Sequence, residues 1–220
     1  MNSIVIFGCG GHAKVVFSEI IKLKKYKIIG FIGKSNKKKI ILKYNKKNYY
    51  NIGTLNVLKK IKKVCGIIGI GDNYLRKKIS KEVNLKYKKF NWVSIISKDS
   101  IINSNVKIGL GTLIVSKTVI NNGTKIGSHC LINTSSSIDH DNTFEDFSST
   151  GPSVTTGGNV KVSQLSHLGI GAVIKNKIKI GSNTIIGGKS FVNKDCLKNS
   201  VYFGIPAKRK KSRKLKEKYL

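Results

Sequence analysis

The sequence repeats every six residues, without a break, from Ile101 to Cys196. The second place of the hexad is Ile, Val, Leu or Phe in fourteen of the sixteen repeats and Thr in the other two. An α-helix repeats about every 3.6 residues and an ordinary strand about every two, so neither produces this pattern. A period of six predicts a β-solenoid, in which each hexad supplies a short strand and a corner and turns one apolar side chain inward.

Gly, Asn and Asp dominate the third place of the hexads. Gly and Asn adopt positive backbone φ angles more readily than other residues. We therefore expect the corners of the solenoid to turn at the third place.

The chain before the repeat alternates between strand-like and helix-like segments, which predicts a small parallel α/β unit. The sequence around Lys34–Tyr50 is rich in Lys and Asn and is expected to form a loop. We divide the chain into an α/β domain at 1–92, the solenoid at 93–206 and a basic tail at 207–220, the tail forming a short helix or a frayed end. The predicted strands are Ser3–Phe7, Lys27–Ile32, Val64–Ile70 and Lys89–Ile95, and the predicted helices are His12–Leu23, Asn56–Lys63 and Asn73–Val83.

A glycine turn joins the first predicted strand to the first helix. Gly8, Gly10 and Ala13 have the spacing of a turn that holds a pyrophosphate, where glycine allows close approach and the helix N-terminus favours an anion. A dinucleotide site also needs an acid after the second strand, and no acidic residue occurs between Glu19 and Asp72. Nicotinamide binding is therefore disfavoured, which leaves a nucleotide linked to another group, or a structural turn without a ligand.

Two further groups of residues could contribute to the same site. His12 and Lys14 lie in the first turn of the helix, where they could meet a phosphate or a sugar. Gly71 and Asp72 lie in a second strand–turn–helix segment and form a candidate second wall.

The formal net charge is +32, but only three of the 42 basic residues are Arg. Because phosphate and base recognition favour Arg, we interpret most of this charge as compositional background and expect no nucleic-acid partner. The four cysteines form no C-x-x-C pair, so neither a metal site nor a disulfide framework is predicted. The sequence shows no signal-like segment and no apolar run of about 18 residues, so we expect a cytoplasmic protein without a membrane partner.

One of the four histidines stands between two carboxylates. His140 lies between Asp139 and Asp141, and a neighbouring carboxylate raises imidazole basicity and fixes its tautomer. This arrangement suits a general base, although a solvated corner is the alternative. His129 and His167 have no acid beside them and are expected on the surface.

Four segments, taken in order, resemble the hexapeptide-repeat acyltransferases that place a small α/β domain before a left-handed β-helix. Bacillosamine and perosamine N-acetyltransferases and sialic acid O-acetyltransferases are of this type. The resemblance implies a Rossmann-like α/β subdomain followed by a left-handed parallel β-helix. The segments are IVIFGCGGHAKVV (Ile4–Val16), IGIGDNYLRKKI (Ile68–Ile79), LINTSSSIDHD (Leu131–Asp141) and VYFGIPAKRKK (Val201–Lys211).

The resemblance implies direct transfer of an acetyl group from acetyl-CoA to a nucleotide-linked amino-sugar in surface-polysaccharide synthesis. His140 would accept the proton of the attacking group, Asp141 would orient it, and Asn133 would lie near the acceptor sugar. The nucleotide-sugar would be held at the glycine turn by Gly10, Gly11, His12 and Lys14. Contacts to coenzyme A are implied for Ser149, Gly158, Gly169, Ile170 and Gly188.

The resemblance further implies a homotrimer with each active site between two subunits. The sequence departs from the family pattern in three places. Ser149 replaces a frequent histidine, Gly33 and Lys34 replace acids after the second strand, and the segment Asn159–Gln164 lacks the usual glycine. O-acetylation of a sialic-acid-like sugar remains open, and so does a non-catalytic scaffold or nucleic-acid-binding role. Affinity for DNA or RNA that falls steeply with salt would mark the last of these.

Overall fold

A six-stranded sheet with two α-helices forms the first part of the computed structural model, which describes residues 1–61 and 63–219. The elements are β1 Asn2–Phe7, α1 Gly11–Leu23, β2 Tyr26–Ile32, β3 Lys39–Tyr44, β4 Lys47–Gly53, a 3-10 helix Leu55–Lys60, β5 Val64–Ile68, α2 Asn73–Lys86 and β6 Asn91–Trp92. The strand order is β3-β4-β2-β1-β5-β6, and β1 pairs in parallel with both β2 and β5. The apolar run of β1 is fully buried, as expected for a central parallel strand covered on both faces.

The segment predicted as a loop is instead a β-hairpin. β3 and β4 pair antiparallel around Asn45 and Lys46, which both have positive φ, as in a tight two-residue hairpin turn. The ring of Tyr49 packs edge-on against Phe17 of α1, with 4.6 Å between ring centroids. The loop prediction was wrong because the high Lys content hid strand residues that are held by this long-range packing.

The six-residue repeat folds into a three-sided left-handed β-helix, as predicted. Residues eighteen apart pair in parallel, so that three hexads make one coil. We call the three sheets face 1, face 2 and face 3. Face 1 consists of β7 Ile95–Ile96, β10 Leu113–Ile114, β13 Leu131–Ile132, β16 Ser149–Thr150, β19 His167–Leu168, β22 Ile185–Ile186, β24 Ser200–Gly204 and β25 Ala207–Ser212.

Faces 2 and 3 are built from two-residue strands alone. Face 2 consists of β8 Ile101–Ile102, β11 Val119–Ile120, β14 Ser137–Ile138, β17 Thr155–Thr156, β20 Val173–Ile174 and β23 Phe191–Val192. Face 3 consists of β9 Lys107–Ile108, β12 Lys125–Ile126, β15 Thr143–Phe144, β18 Lys161–Val162 and β21 Lys179–Ile180.

The second-place side chains form the core of the β-helix, as the repeat predicts. The two threonine exceptions, Thr150 and Thr156, are also buried. Their hydroxyl oxygens accept the backbone N–H groups of Asn133 (2.8 Å) and Asp139 (3.3 Å) in the preceding coil. Each threonine therefore replaces an apolar contact with a hydrogen bond to a corner. These are the corners that carry Asn133 and His140.

The corners turn at the fifth place of the hexad and not at the third. The fifth-place residues from Asn105 to Lys189 have positive φ, including bulky ones such as Leu165. The third-place glycines have another role, since a Cβ on Gly109 would lie 2.6 Å from the backbone of Gly127 in the next coil. The expectation was therefore wrong about the turning residue, because close approach of stacked coils also selects glycine.

The basic tail contains a strand, so the predicted helix was wrong. β25 pairs antiparallel with β24 and extends face 1. The chain then crosses to α2, where the Tyr219 hydroxyl accepts the backbone N–H of Asn73 at 2.9 Å. The strand was not predicted because a run of basic residues has no alternation of apolar and polar side chains that would indicate its pairing with β24.

The α/β domain covers face 1 and the corner after face 3. Arg76 of α2 is almost fully buried, and its guanidinium donates to backbone carbonyls of both domains. The β-helix acceptors are His129 O (2.8 Å), Phe147 O (3.2 Å) and Ser148 O (3.3 Å), and the α/β acceptors are Ile70 O (3.0 Å) and Gly71 O (2.8 Å), with the Asn73 side chain at 2.6 Å. One side chain thus connects the two domains.

His129 and His167 lie in this interface, so the expectation that they are surface residues was wrong. His129 stacks on Phe147, and its Nε2 lies 2.9 Å from the Ser80 hydroxyl. Burial, followed by the charge of Arg76, lowers the pKa of His129 to about 4 and that of His167 to about 3. Both imidazoles are therefore neutral at pH 7.

Within the described residues, no helix has both the length and the apolar character needed to cross a membrane. The same residues contain no group of three His, Cys, Asp or Glu side chains arranged to hold a metal ion.

We predict that Arg76→Ala lowers the free energy of unfolding by about 3 kcal/mol or more, because it leaves several buried carbonyls without a donor. Chemical denaturation measures this loss, with Lys81→Ala as the control because Lys81 is exposed on the same helix. Equal midpoints for the two variants would contradict the role of Arg76.

Candidate active site

His140 and Asp141 form a hydrogen-bonded pair on the corner between face 2 and face 3. His140 Nδ1 lies 2.8 Å from Asp141 Oδ2, and each side chain is about half exposed. Asp141 occupies the fifth place of its hexad with φ +57°, so the left-handed turn of the corner sets its backbone. The repeat itself therefore presents two consecutive side chains to solvent in hydrogen-bond contact.

The pKa of the His140 imidazole is raised above its ordinary value of 6.5. The main cause is the hydrogen bond to Asp141, and the negative charges of Asp139 and Asp141 add to it. When Nδ1 carries a proton and donates it to Asp141, Nε2 is left free to accept one. This geometry can take a proton from a molecule bound at the corner.

A row of polar side chains leads to this corner from the two preceding coils. Asp139 Oδ1 accepts the backbone N–H of His140 (2.8 Å) and an N–H of the Asn121 side chain (3.2 Å). The Asn121 side chain accepts in turn from the side chain of Asn103 (2.7 Å). Sequence adjacency identifies Asp139 only as a carboxylate beside His140. The spacing of eighteen between these third-place residues is the signal for its place in this row.

Two glycines leave room for the pair. A Cβ on Gly158, in the next coil, would overlap with the His140 ring at Nε2. A Cβ on Gly123, in the preceding coil, would overlap with the carboxylate of Asp141. The imidazole and its carboxylate therefore lie over glycines of the two adjacent coils.

We predict that Gly158→Ala lowers kcat by about tenfold or more with little loss of stability. The added methyl group displaces only the mobile end of His140, and small displacements of a reacting group are costly for the rate. Steady-state kinetics and thermal unfolding of the variant measure the two effects. An unchanged kcat would show that the position of the ring is not set by Gly158.

We predict that Asp141→Asn moves the acid limb of the kcat profile to lower pH and lowers the plateau by about tenfold or more. Loss of the carboxylate removes the main cause that raises the pKa of His140, so that the base stays neutral at lower pH. The amine of the acceptor has the same pKa in assays of both enzymes. A difference between the two pH profiles therefore reflects a change in the pKa of a group of the enzyme. Asp195→Asn, on the last coil, is the control, and coincident profiles for wild type and Asp141→Asn would contradict the assignment.

Three of the residues expected to contact coenzyme A lie together at the other edge of face 2. Gly169, Ile170 and Gly188 are on the corner between face 1 and face 2, where Ile170 is 61% exposed. Gly158 lies beside His140 at the opposite edge of the face. The glycine backbone can hydrogen-bond to an amide, and the exposed Ile170 can contact a hydrocarbon segment. A chain such as the pantetheine arm offers both groups.

Ser149, which is also expected to contact coenzyme A, is enclosed by the protein. Ser149 is fully buried on face 1, and its hydroxyl lies 2.8 Å from His167 Nδ1. The ring of Tyr219 packs on His167 with 4.8 Å between centroids. The tail therefore covers this part of face 1 and separates Ser149 from solvent.

Asn133 lies on the corner between faces 1 and 2, away from His140 of the same chain. Its side-chain oxygen accepts the backbone N–H of Thr134 at 2.9 Å. Within one chain, Asn133, which is expected near the acceptor sugar, therefore does not lie beside His140.

A cavity of about 920 Å³ opens in the α/β domain at the ends of its parallel strands. The glycine turn lines one side, and Gly10 is the N-cap residue of α1, which has no side-chain cap. A Cβ on Gly10 or Gly11 would meet nothing within 4 Å, so the turn is not crowded. The N–H groups in the first turn of an α-helix have no partner within the helix and favour an anion. Five lysines and one acid also line the cavity: Lys34, Lys37, Lys39, Lys78, Lys86 and Glu82.

The other residues expected at this site lie outside the cavity lining. His12 is half-buried, and burial together with the charge of Arg76 lowers its pKa to about 4. Gly11 and Lys14 are exposed on α1. Asp72 caps α2 by accepting the backbone N–H of Leu75 at 2.8 Å, and the Gly71 carbonyl accepts from Arg76, so both residues hold the helix in place.

The cavity and His140 lie on different sides of the β-helix. The core of the α/β domain includes the outward side chains of face 1, namely Ile95, Leu113 and Leu131. His140 is on the corner opposite that face. A single chain therefore holds the two halves of the expected site apart.

Comparison with known proteins adds to this geometry. Residues 3–83 match the family model described as the PglD N-terminal domain. The chain is similar to a structure of perosamine N-acetyltransferase from Caulobacter crescentus in complex with CoA and GDP-perosamine, a histidine-to-asparagine variant. The TM-score is 0.87 with 26% identity, over 96% of this chain and 98% of that chain.

Two further structures share the fold. The acetyltransferase domain of PglB from Neisseria gonorrhoeae has a TM-score of 0.84 with 23% identity, over 95% of this chain and 100% of that chain. WeeI from Acinetobacter baumannii has a TM-score of 0.78 with 23% identity, over 94% and 98%. Together with the match to the perosamine N-acetyltransferase, these structures confirm the predicted resemblance in fold, an α/β subdomain followed by a left-handed β-helix.

Proposed function

We propose that the protein is an acetyl-CoA-dependent N-acetyltransferase that acts on a nucleotide-linked amino-sugar in surface-glycan synthesis. The observation that carries the proposal is the exposed His140–Asp141 pair, with its 2.8 Å contact and the raised pKa of the imidazole. The similarity to a perosamine N-acetyltransferase with CoA and GDP-perosamine bound supports the same chemistry.

His140 serves as the general base. An amine attacks the thioester carbonyl of acetyl-CoA, the new C–N bond replaces the C–S bond, and coenzyme A leaves as the thiol. His140 Nε2 accepts the proton that the amine loses, and Asp141 stabilises the resulting imidazolium through Nδ1. The proton can then pass to the departing sulfur, which restores the neutral base.

The nucleotide part of the acceptor binds in the cavity of the α/β domain. The uncapped N-terminus of α1 and the lysines of the lining both favour a diphosphate. The apolar lining, which includes Ile32 and Ile70, offers contact to a base. This arrangement places the diphosphate at the glycine turn that begins at Gly8.

We also propose a homotrimer in which each active site lies between two subunits. The outward first-place residues of face 2 include Ile101 and Val173, which are 57% and 43% exposed. Face 1 is covered by the α/β domain and the tail, and the corresponding row of face 3 is mostly Lys, so face 2 is the apolar surface left open. Ile170 and His140 lie on corners at opposite edges of face 2. Packing along face 2 would therefore bring Ile170 of one copy toward His140 of another.

Analytical ultracentrifugation tests the assembly. Wild type is expected at three times the chain mass, and Val173→Glu at the mass of one chain, because it places a charge on the apolar face. Lys125→Glu on face 3 is the matched control and should retain the trimer. A wild-type protein with the mass of a single chain would contradict the shared site.

A thiol-release assay tests the reaction. We predict that acetyl-CoA with one of a panel of UDP- and GDP-linked 4-amino-sugars releases free CoA, and that His140→Ala lowers this turnover by about 10²–10⁴-fold. Release with sialic acid alone would assign O-acetylation instead. Failure of the protein to bind acetyl-CoA, together with salt-sensitive binding to DNA or RNA, would favour the non-catalytic alternative.

We place the reaction in the cytoplasm. All four cysteines are free thiols, which agrees with a reducing compartment.

A further inference from the structure

The sixth place of the hexads contains a single asparagine, Asn142, two residues after His140. The other fifteen sixth-place residues are Thr, Ser, Cys, Val, Ala or Ile. Asn142 is fully buried inside the corner that carries His140. A larger amide thus occupies a buried position that elsewhere takes a smaller hydroxyl group or an apolar side chain.

The hydroxyl groups at this place have a regular role, which is to connect consecutive coils. The Thr112 hydroxyl donates to Gly127 O, fifteen residues ahead, at 2.8 Å and accepts the N–H of Cys130, eighteen ahead, at 3.0 Å. Ser166 makes the same two bonds, to Gly181 O at 2.7 Å and from the Thr184 N–H at 3.1 Å. A hydroxyl side chain is therefore sufficient to join one coil to the next.

Asn142 makes this connection and also contacts its own corner. Its side chain donates to Gly157 O at 3.0 Å and accepts the N–H of Val160 at 3.0 Å, as a threonine would. The same amide nitrogen lies 2.6 Å from Asp139 O and 3.3 Å from His140 O. These two contacts reach the backbone on either side of the bond that joins Asp139 to His140.

We propose that Asn142 is a positioning residue for the reaction, because its buried amide fixes the backbone from Asp139 to His140 and thereby the direction of the imidazole. The inference rests on the proposed function of His140. Asp141 contacts the ring and Asp139 accepts the His140 N–H. The Thr124 hydroxyl also donates to Asp139 O at 2.9 Å, and the Asn159 N–H donates to His140 O at 3.0 Å. The Asn142 amide adds a side chain that contacts both carbonyls from inside the coil. Asn142 itself is enclosed and touches no substrate.

Asn142→Thr is the variant that separates the two roles of the side chain. Threonine keeps the bonds to Gly157 O and from the Val160 N–H, as Thr112 shows. It removes the amide contacts to Asp139 O and His140 O, which keep only the Thr124 hydroxyl and the Asn159 N–H as donors. We expect kcat to fall by about tenfold or more, since small errors in the position of a reacting group carry large rate costs. We expect KM for both substrates to stay within about twofold, because the binding surfaces are unchanged.

The pH dependence of kcat gives a readout that a loss of stability would not produce. The charged groups that face His140 are Asp139 and Asp141, and the adjacent coils present Gly123 and Gly158. A looser His140–Asp141 contact lets the pKa of the imidazole return toward 6.5. The acid limb should therefore move to lower pH in Asn142→Thr relative to wild type.

Three variants complete the experiment, with acetyl-CoA and the accepted amino-sugar as substrates. Thr112→Ser is the matched control at a sixth place far from His140 and should keep wild-type kcat. Thermal unfolding of each variant confirms that it is folded, and Asn142→Ser replaces Asn142→Thr if that variant does not fold. His140→Ala reports on the proposed function itself.

The results distinguish the two claims. Low kcat, unchanged KM and a shifted acid limb in Asn142→Thr support the positioning role. Wild-type kcat in Asn142→Thr together with an inactive His140→Ala overturns the positioning role and leaves the function standing. Full activity of His140→Ala overturns the proposed function.

Discussion

The structure depends on the hydrogen bonds that join each coil of the β-helix to the next. Every strand of the three faces is too short to be stable alone, and parallel pairing at a spacing of eighteen residues unites them. Buried hydroxyl groups at the sixth place add bonds inside the corners, as at Thr112. The left-handed residues at the fifth place then project side chains from fixed positions.

The candidate catalytic pair is a local consequence of this regularity. His140 and Asp141 occupy the fourth and fifth places of one hexad, and a corner of the same shape recurs in every coil. This corner differs from the others in its side chains. Two carboxylates flank the imidazole, and Gly158 of the next coil leaves room for the ring. Inside the corner, the amide of Asn142 takes the place where other corners have a smaller polar group or an apolar side chain. A general scaffold therefore becomes a specific site through a small number of substitutions.

The parts that were predictable from the sequence are those set by short spacings. The hexad gave the β-helix, and the adjacency of Asp139, His140 and Asp141 indicated the basic histidine. The buried state of Ser149 and the role of Arg76 were not predictable, because their partners lie 18 and 53 residues away in sequence. The strand at Ala207–Ser212 pairs with the strand just before it, but its run of basic residues lacks the alternation of apolar and polar side chains that indicates a strand. The lysine-rich cavity also draws on several separate elements, so no single motif revealed it.

The central claim is that the fold makes His140 the one basic histidine of the four. NMR titration of the imidazole resonances, assigned by single histidine substitutions, tests this directly without any substrate. The account predicts a His140 midpoint above 6.5, with His12 and His129 near 4 and His167 near 3. A His140 midpoint at or below 6.5, or another histidine that titrates above it, would contradict the account.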